Sequence, residues 1–139
     1  MITRNIYAAL FILFILNISS CSEENSLSVK NQISSADKIE FLYKDGFDST
    51  GKMIVKTSNI TNQKDIIEII NTVSDEPFPY QYCISTGSMT FYKQDSVLIS
   101  LVYNTTDDYR HIAFNQYNKL TAVKLSEENA RLLELYSAK

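Results

Sequence analysis

The sequence predicts an α+β domain: an antiparallel sheet with two helices packed on one face, a two-layer sandwich in the order β-β-α-β-β-β-β-β-α. Three observations carry that expectation. Short stretches alternate apolar and polar residues between turn residues, as half-buried strands do. Two other stretches switch to the helical spacing of roughly 3.6 residues. The connections are short, which favours antiparallel neighbours and a single layer of helices.

The first strand is "KIEFLYK", with Ile39, Phe41 and Tyr43 on one side and Glu40 and Lys44 on the other. "DGFDSTG" supplies turn chemistry with two glycines, and "KMIVKTS" completes a hairpin. In "NQKDIIEIINTVSDEP" the period changes: Ile66, Ile67, Ile70 and Val73 form a helical stripe. Asn62 is placed to cap that helix, Asp65 suits its first turn, and Pro77 is expected to stop it. β-structure then follows closely. "YQYCIS" reads as a short strand. "SMTFYK" and "SVLISLVY" flank a Gln94-Asp95 turn. "YRHIAF" and "KLTAVKL" flank "NQYN". Ser126 caps a final helix with Glu127 and Glu128 in its first turn and Ala130, Leu133 and Tyr136 as its buried stripe.

Alternation also assigns faces. Met89, Phe91, Val97, Ile99, Leu101, Ile112 and Phe114 should face the helices. Thr90, Tyr92, Leu98, Ser100, Val102, Tyr109, His111 and Ala113 should face away, on a side an antiparallel sheet can leave wet. Tyr92, Tyr109 and His111 are therefore the candidate binding face, since tyrosines are favoured at interfaces.

Ahead of this domain lies a different kind of sequence. Residues 6–16 are an unbroken apolar run after a start that carries Arg4. The run is shorter than the roughly 20 residues a spanning helix needs, and it suits the h-region of a secretory signal. Ile18, Ser19, Ser20 and Cys21 then follow as "ISSC". This tetrapeptide resembles the lipobox of bacterial lipoproteins. The resemblance implies a diacylglycerol on the Cys21 thiol, cleavage before Cys21, and anchorage in the cell envelope. Glu23 and Glu24 are similar to the acidic export tag that follows the lipid cysteine in Bacteroidota surface lipoproteins. That implies the outer membrane, at its periplasmic side or at the cell surface. Three segments result: 1–20 as signal peptide, 21–36 as a flexible Ser/Asn-rich linker, and 37–139 as one domain.

Composition narrows the function classes. Removing 1–20 from 139 residues leaves enough chain for one core, with 12 cations against 16 acids. No basic patch exists, so nucleic acid is not an expected partner. With Cys21 lipidated, Cys83 is the remaining cysteine and reads as a small buried hydrophobe. His111 is the one histidine, and no nucleophile signature such as G-x-S-x-G accompanies it. No four-ligand metal set, calcium loop or phosphate loop is evident, so no metal or cofactor is expected. The expected function is a membrane-anchored, non-enzymatic binding module with a protein partner, of the inhibitor, immunity or accessory kind. Two alternatives stand beside it: a small envelope hydrolase using His111, and a purely structural envelope component.

Overall fold

The computed structural model describes residues 24–79 and 85–139. The fold is α+β. Helix α1 (Glu24–Ile33) leads into a hairpin of β1 (Lys38–Phe47) and β2 (Met53–Ile60), followed by helix α2 (Gln63–Asn71). The rest runs β3 (Gly87–Lys93), β4 (Ser96–Asn104), a 3-10 turn (Asp107–Tyr109), β5 (His111–Gln116), β6 (Lys119–Lys124) and helix α3 (Glu127–Ser137). The six strands form one open antiparallel sheet in the order β2-β1-β3-β4-β5-β6. The strand expected at "YQYCIS", the environment of Cys83, the signal stretch and Cys21 lie outside the described residues.

One hydrophobic cluster joins all three helices to one side of the sheet. Ile39 and Phe41, Met89 and Phe91, Leu101 and Tyr103, Ile112 and Phe114, and Val123 meet Ile66, Ile69 and Ile70 of α2 and Ala130, Leu133 and Tyr136 of α3. The two helix starts follow the caps that the sequence offers. Asn62 Oδ1 accepts from the amides of Lys64 and Asp65, and Ser126 Oγ accepts from the amide of Asn129. Both two-residue hairpin turns hold positive φ at both positions, Gln94-Asp95 (49° and 63°) and Tyr117-Asn118 (51° and 61°). That is the type I′ geometry that matches strand twist.

Four expectations are corrected. The stretch read as a linker is helical from Glu24, and Val29, Ile33 and Ala36 are buried in the cluster. Val29 and Ile33, at i and i+4 of α1, and Ala36 just past its end are the buried positions of a polar, Ser/Asn-rich segment, and tertiary burial rather than propensity explains the helix. A third helix therefore joins the two expected ones. Second, α2 ends at Asn71, well before Pro77. Thr72 gives both its amide (3.0 Å) and its hydroxyl (2.7 Å) to the Ile69 carbonyl, which tightens and ends the last turn. Pro77, in no strand itself, instead forms an isolated antiparallel bridge to Val123 of β6.

Third, Val97 and Leu98 exchange faces. Phe91 pairs with Ile99 but Tyr92 pairs with Val97, so Leu98 is an extra residue, a bulge. Leu98 and Ile99 both pack on the core, and Val97 turns away with 60% of its surface exposed. Fourth, Tyr109 belongs to the 3-10 turn rather than to a strand, because β5 begins at His111.

Among the described residues, one buried hydroxyl has no hydrogen-bond partner, Tyr103 Oη. Ser137 lies near it, but Ser137 Oγ donates to the Glu134 carbonyl at 2.9 Å. Burial lifts the Tyr103 phenol from about 10 to about 12, with Ser137 pulling the other way. The Tyr136 phenol is raised as well, chiefly by its hydrogen bond to Glu68. A raised folded pKa means the unfolded chain gives up its proton first. Stability should therefore be intact below about pH 10 and drain away as pH climbs toward about 12. Urea titrations across that range should show the slope, and Tyr103→Phe should flatten it.

Candidate functional site

Among the described residues, the sheet has one face under helices and one without. Register and alternation place four cross-sheet rows on the helix-free face. One row runs Thr57, Leu42, Ser88, Val102, Ala113, Ala122. The next carries Asn59, Glu40, Thr90 and Ser100. On the other side lie Val55 beside Lys44 and, across the sheet, Asn104 beside His111. Lys38, Tyr92 and Val97 form the fourth.

Most of the exposed large apolar side chains of the described residues sit here. Leu42 is 41% exposed, Val102 36% and Val97 60%, with Val55, Met53 and Leu120 exposed as well. The β1–β2 hairpin extends this surface past the end of β3. Asp45 and Gly46 oppose the single residue Ile54, and Gly46 takes φ +83° to form that bulge. Beyond it Phe47, 70% exposed, pairs with Met53 on the same side as Val55. The hairpin tip is held by Asp48, whose Oδ1 accepts from the hydroxyl and amide of Thr50 and from the amide of Lys52. These three donors keep the Asp48 carboxyl below the usual range, the Thr50 hydroxyl most of all.

Charge is pushed to the margins of this face. Lys38 pairs with Asp95 at 3.1 Å and lies 4.3 Å over the Tyr92 ring. Lys44 Nζ donates to the Ser85 carbonyl at 2.6 Å, and Lys124 pairs with Glu76. Between them Thr90 and Ser100 share a hydroxyl hydrogen bond at 2.9 Å. Glu40 is the charged residue in the middle, half-buried and with no ion-pair partner among the described residues.

The three residues expected as a binding patch are not brought together. Tyr92 pairs with Val97 at the start of β4, and His111 pairs with Asn104 at its end. At ~3.4 Å per residue that separates them by about 20 Å. His111 lies on the expected face but is only 1% exposed. Phe78 stacks on its ring, centroids 5.0 Å apart and planes within 12°. His111 Nδ1 lies 2.6 Å from the Tyr109 carbonyl oxygen. A carbonyl can only accept, so this nitrogen carries the proton. Phe78 is brought there by its own amide, which donates to the Ala122 carbonyl at 2.9 Å.

No protein-family model, curated protein or solved structure matches the chain.

A second concavity lies between α2 and α3, an open groove of about 640 Å³ lined by Glu68, Asn71, Glu128, Asn129, Leu132 and Leu135 among others. Its carboxylates are largely engaged. Glu68 accepts from the Tyr136 hydroxyl at 2.6 Å, and Glu127 pairs with Arg131. Among the described residues no group of three or more His, Cys, Asp or Glu side chains could hold a metal ion. No helix there is long and apolar enough to cross a membrane. The candidate site is therefore the helix-free sheet face. Its key residues, Leu42 and Val102, had a legible signal: an apolar side chain at a position whose parity belongs to the polar side.

Proposed function

We propose that this protein is a lipid-anchored envelope lipoprotein that docks a protein partner on the open face of its sheet, without catalysing a reaction. The observation that supports docking is the concentration of exposed apolar side chains on one helix-free face with few charges at its centre. Protein interfaces have that anatomy, an uncharged core within a polar rim, and isolated surface aliphatics do not. The anchor is supported by "ISSC" after an apolar run of signal-peptide length. Two or three acyl chains, at about 0.8 kcal/mol per buried CH₂, hold a domain firmly where one chain does not. The outer membrane is the proposed location, from the acidic Glu23-Glu24 that follows the cysteine. His111, stacked under Phe78, offers no observation in favour of hydrolysis.

Metabolic labelling with a palmitate analogue tests the anchor. The full-length protein should carry label in the membrane fraction, and Cys21→Ala should lose both label and membrane retention. Label kept by Cys21→Ala would overturn the lipoprotein assignment.

A further inference from the structure

The occupant of the open face can be argued from the spacing of charges on β1. Glu40 and Lys44 stand two residues to either side of Leu42, all three on the same side of the strand. Consider a two-fold axis lying in the plane of the face, perpendicular to the strands and passing over Leu42. It sets β1 antiparallel to β1 of another copy. Leu42 then faces Leu42, and each Glu40 faces Lys44 of the other copy, twice by symmetry. The same axis runs along the row Leu42, Ser88, Val102, because those residues are register partners. The exposed aliphatics of this row, Leu42 and Val102, thus meet their own equivalents around a small Ser88. The row of Glu40, Thr90 and Ser100 falls opposite the row of Lys44, Thr86 and Asn104.

The open part of the face is small. Ala113, Ala122, His111 and Asn104 are buried, so the accessible surface lies over β2, β1, β3 and β4 and, at about 4.8 Å by 3.4 Å per residue, projects on the order of 400 Å². Two such faces bury about 800 Å², the size of a weak, reversible contact. Two twisted sheets can stack this way about 10 Å apart, as in a sandwich. Glu40 has no ion-pair partner among the described residues, and Lys44 of a second copy supplies a cation at the matching spacing.

We propose that the open sheet face docks a second copy of this chain, as a face-to-face dimer with its two-fold axis over Leu42, Ser88 and Val102. The proposal rests on the assignment of this face as a protein interface and names its occupant. The test is sedimentation of the full chain purified in mild detergent, compared with charge variants of β1. Wild type should sediment as a dimer. Glu40→Lys sets lysine against lysine twice and should weaken the dimer about tenfold or more, whereas Glu40→Lys with Lys44→Glu should restore it to within about threefold. Leu135→Lys, exposed on α3 on the helix-covered side of the sheet, should leave it unchanged. Val102→Glu, which faces its own copy across the axis, should give monomer; thermal melts of each variant separate this from unfolding. A dimer unmoved by both Glu40→Lys and Val102→Glu overturns the proposal, as does a folded double variant that stays monomeric. A monomeric wild type at about 100 µM also overturns it. In that case p-benzoylphenylalanine in place of Ser100 distinguishes the two claims. A photocrosslink to a different polypeptide keeps the face as an interface, and no crosslink to any protein overturns both.

Discussion

Gly87→Ala should destabilise the domain by about 3 kcal/mol or more, the largest single effect expected from so small a change. A Cβ added to Gly87 would stand 2.3 Å from Tyr103 Oη, 2.4 Å from Tyr103 Cζ and 2.7 Å from the Leu42 carbonyl oxygen. The tyrosine cannot simply swing away, because it is 2% exposed and packs edge-on against Phe41 with centroids 6.1 Å apart. The Leu42 carbonyl belongs to the paired β1 backbone. Overpacking a close-packed core costs typically 1–3 kcal/mol, and a backbone clash adds to that, hence about 3 or more. The companion variant Tyr103→Phe removes a hydroxyl that has no hydrogen-bond partner and should be neutral or slightly stabilising. In the Gly87→Ala background it should recover part of the loss. Urea midpoints measure both, and a Gly87→Ala midpoint equal to wild type would show that β3 does not pass under Tyr103.

Ile33→Ala should cost about 2–5 kcal/mol, the range for truncating a fully buried isoleucine. The size of this effect decides what the segment before β1 is. Ile33 is 0% exposed within α1, and it sits in the same cluster as Leu101 and Phe91. Gln32 Nε2 also donates to the Leu98 carbonyl at 2.7 Å, and Lys30 pairs with Asp75 at 3.7 Å. A flexible tether would tolerate Ile33→Ala with no change in stability. A cooperative loss in denaturant titration places α1 inside the folding unit and shortens the spacer between the domain and Cys21. Asn31→Ala, on the exposed side of the same helix, is the control and should cost under about 1 kcal/mol.

What was legible in the chain follows from how local each cause is. The caps at Asn62 and Ser126 and the turn at Gln94-Asp95 depend on a few neighbouring residues, and each forms where it was expected, whereas the "NQYN" turn shortens to Tyr117-Asn118 because Asn115 and Gln116 pair with Leu120 and Lys119. Met89, Phe91, Leu101, Ile112 and Phe114 all face the helices because a strand's side-chain period is fixed. One extra residue defeats that rule, since a bulge reverses parity for every position beyond it, and nothing in "SVLISLVY" marks Leu98 as the extra one. The binding patch failed on register. Tyr92 and His111 share a face, but pairing sets them at opposite ends of β4.

The sequence by itself determined the α+β class, the antiparallel pairing of short-linked strands, the starts of two helices and the parity of most strands, because these are set by interactions within a few residues. It also carries the lipobox-like segment, a local pattern too. Only the tertiary structure decided that α1 is part of the core, that Gly87 must yield its side chain to Tyr103, and that Phe78 covers His111. Only the register aligned Leu42 with Val102 on an open face, where Glu40 has no ion-pair partner among the described residues. Each of these depends on contacts between residues far apart in the chain, where burial and strand pairing outweigh local preference.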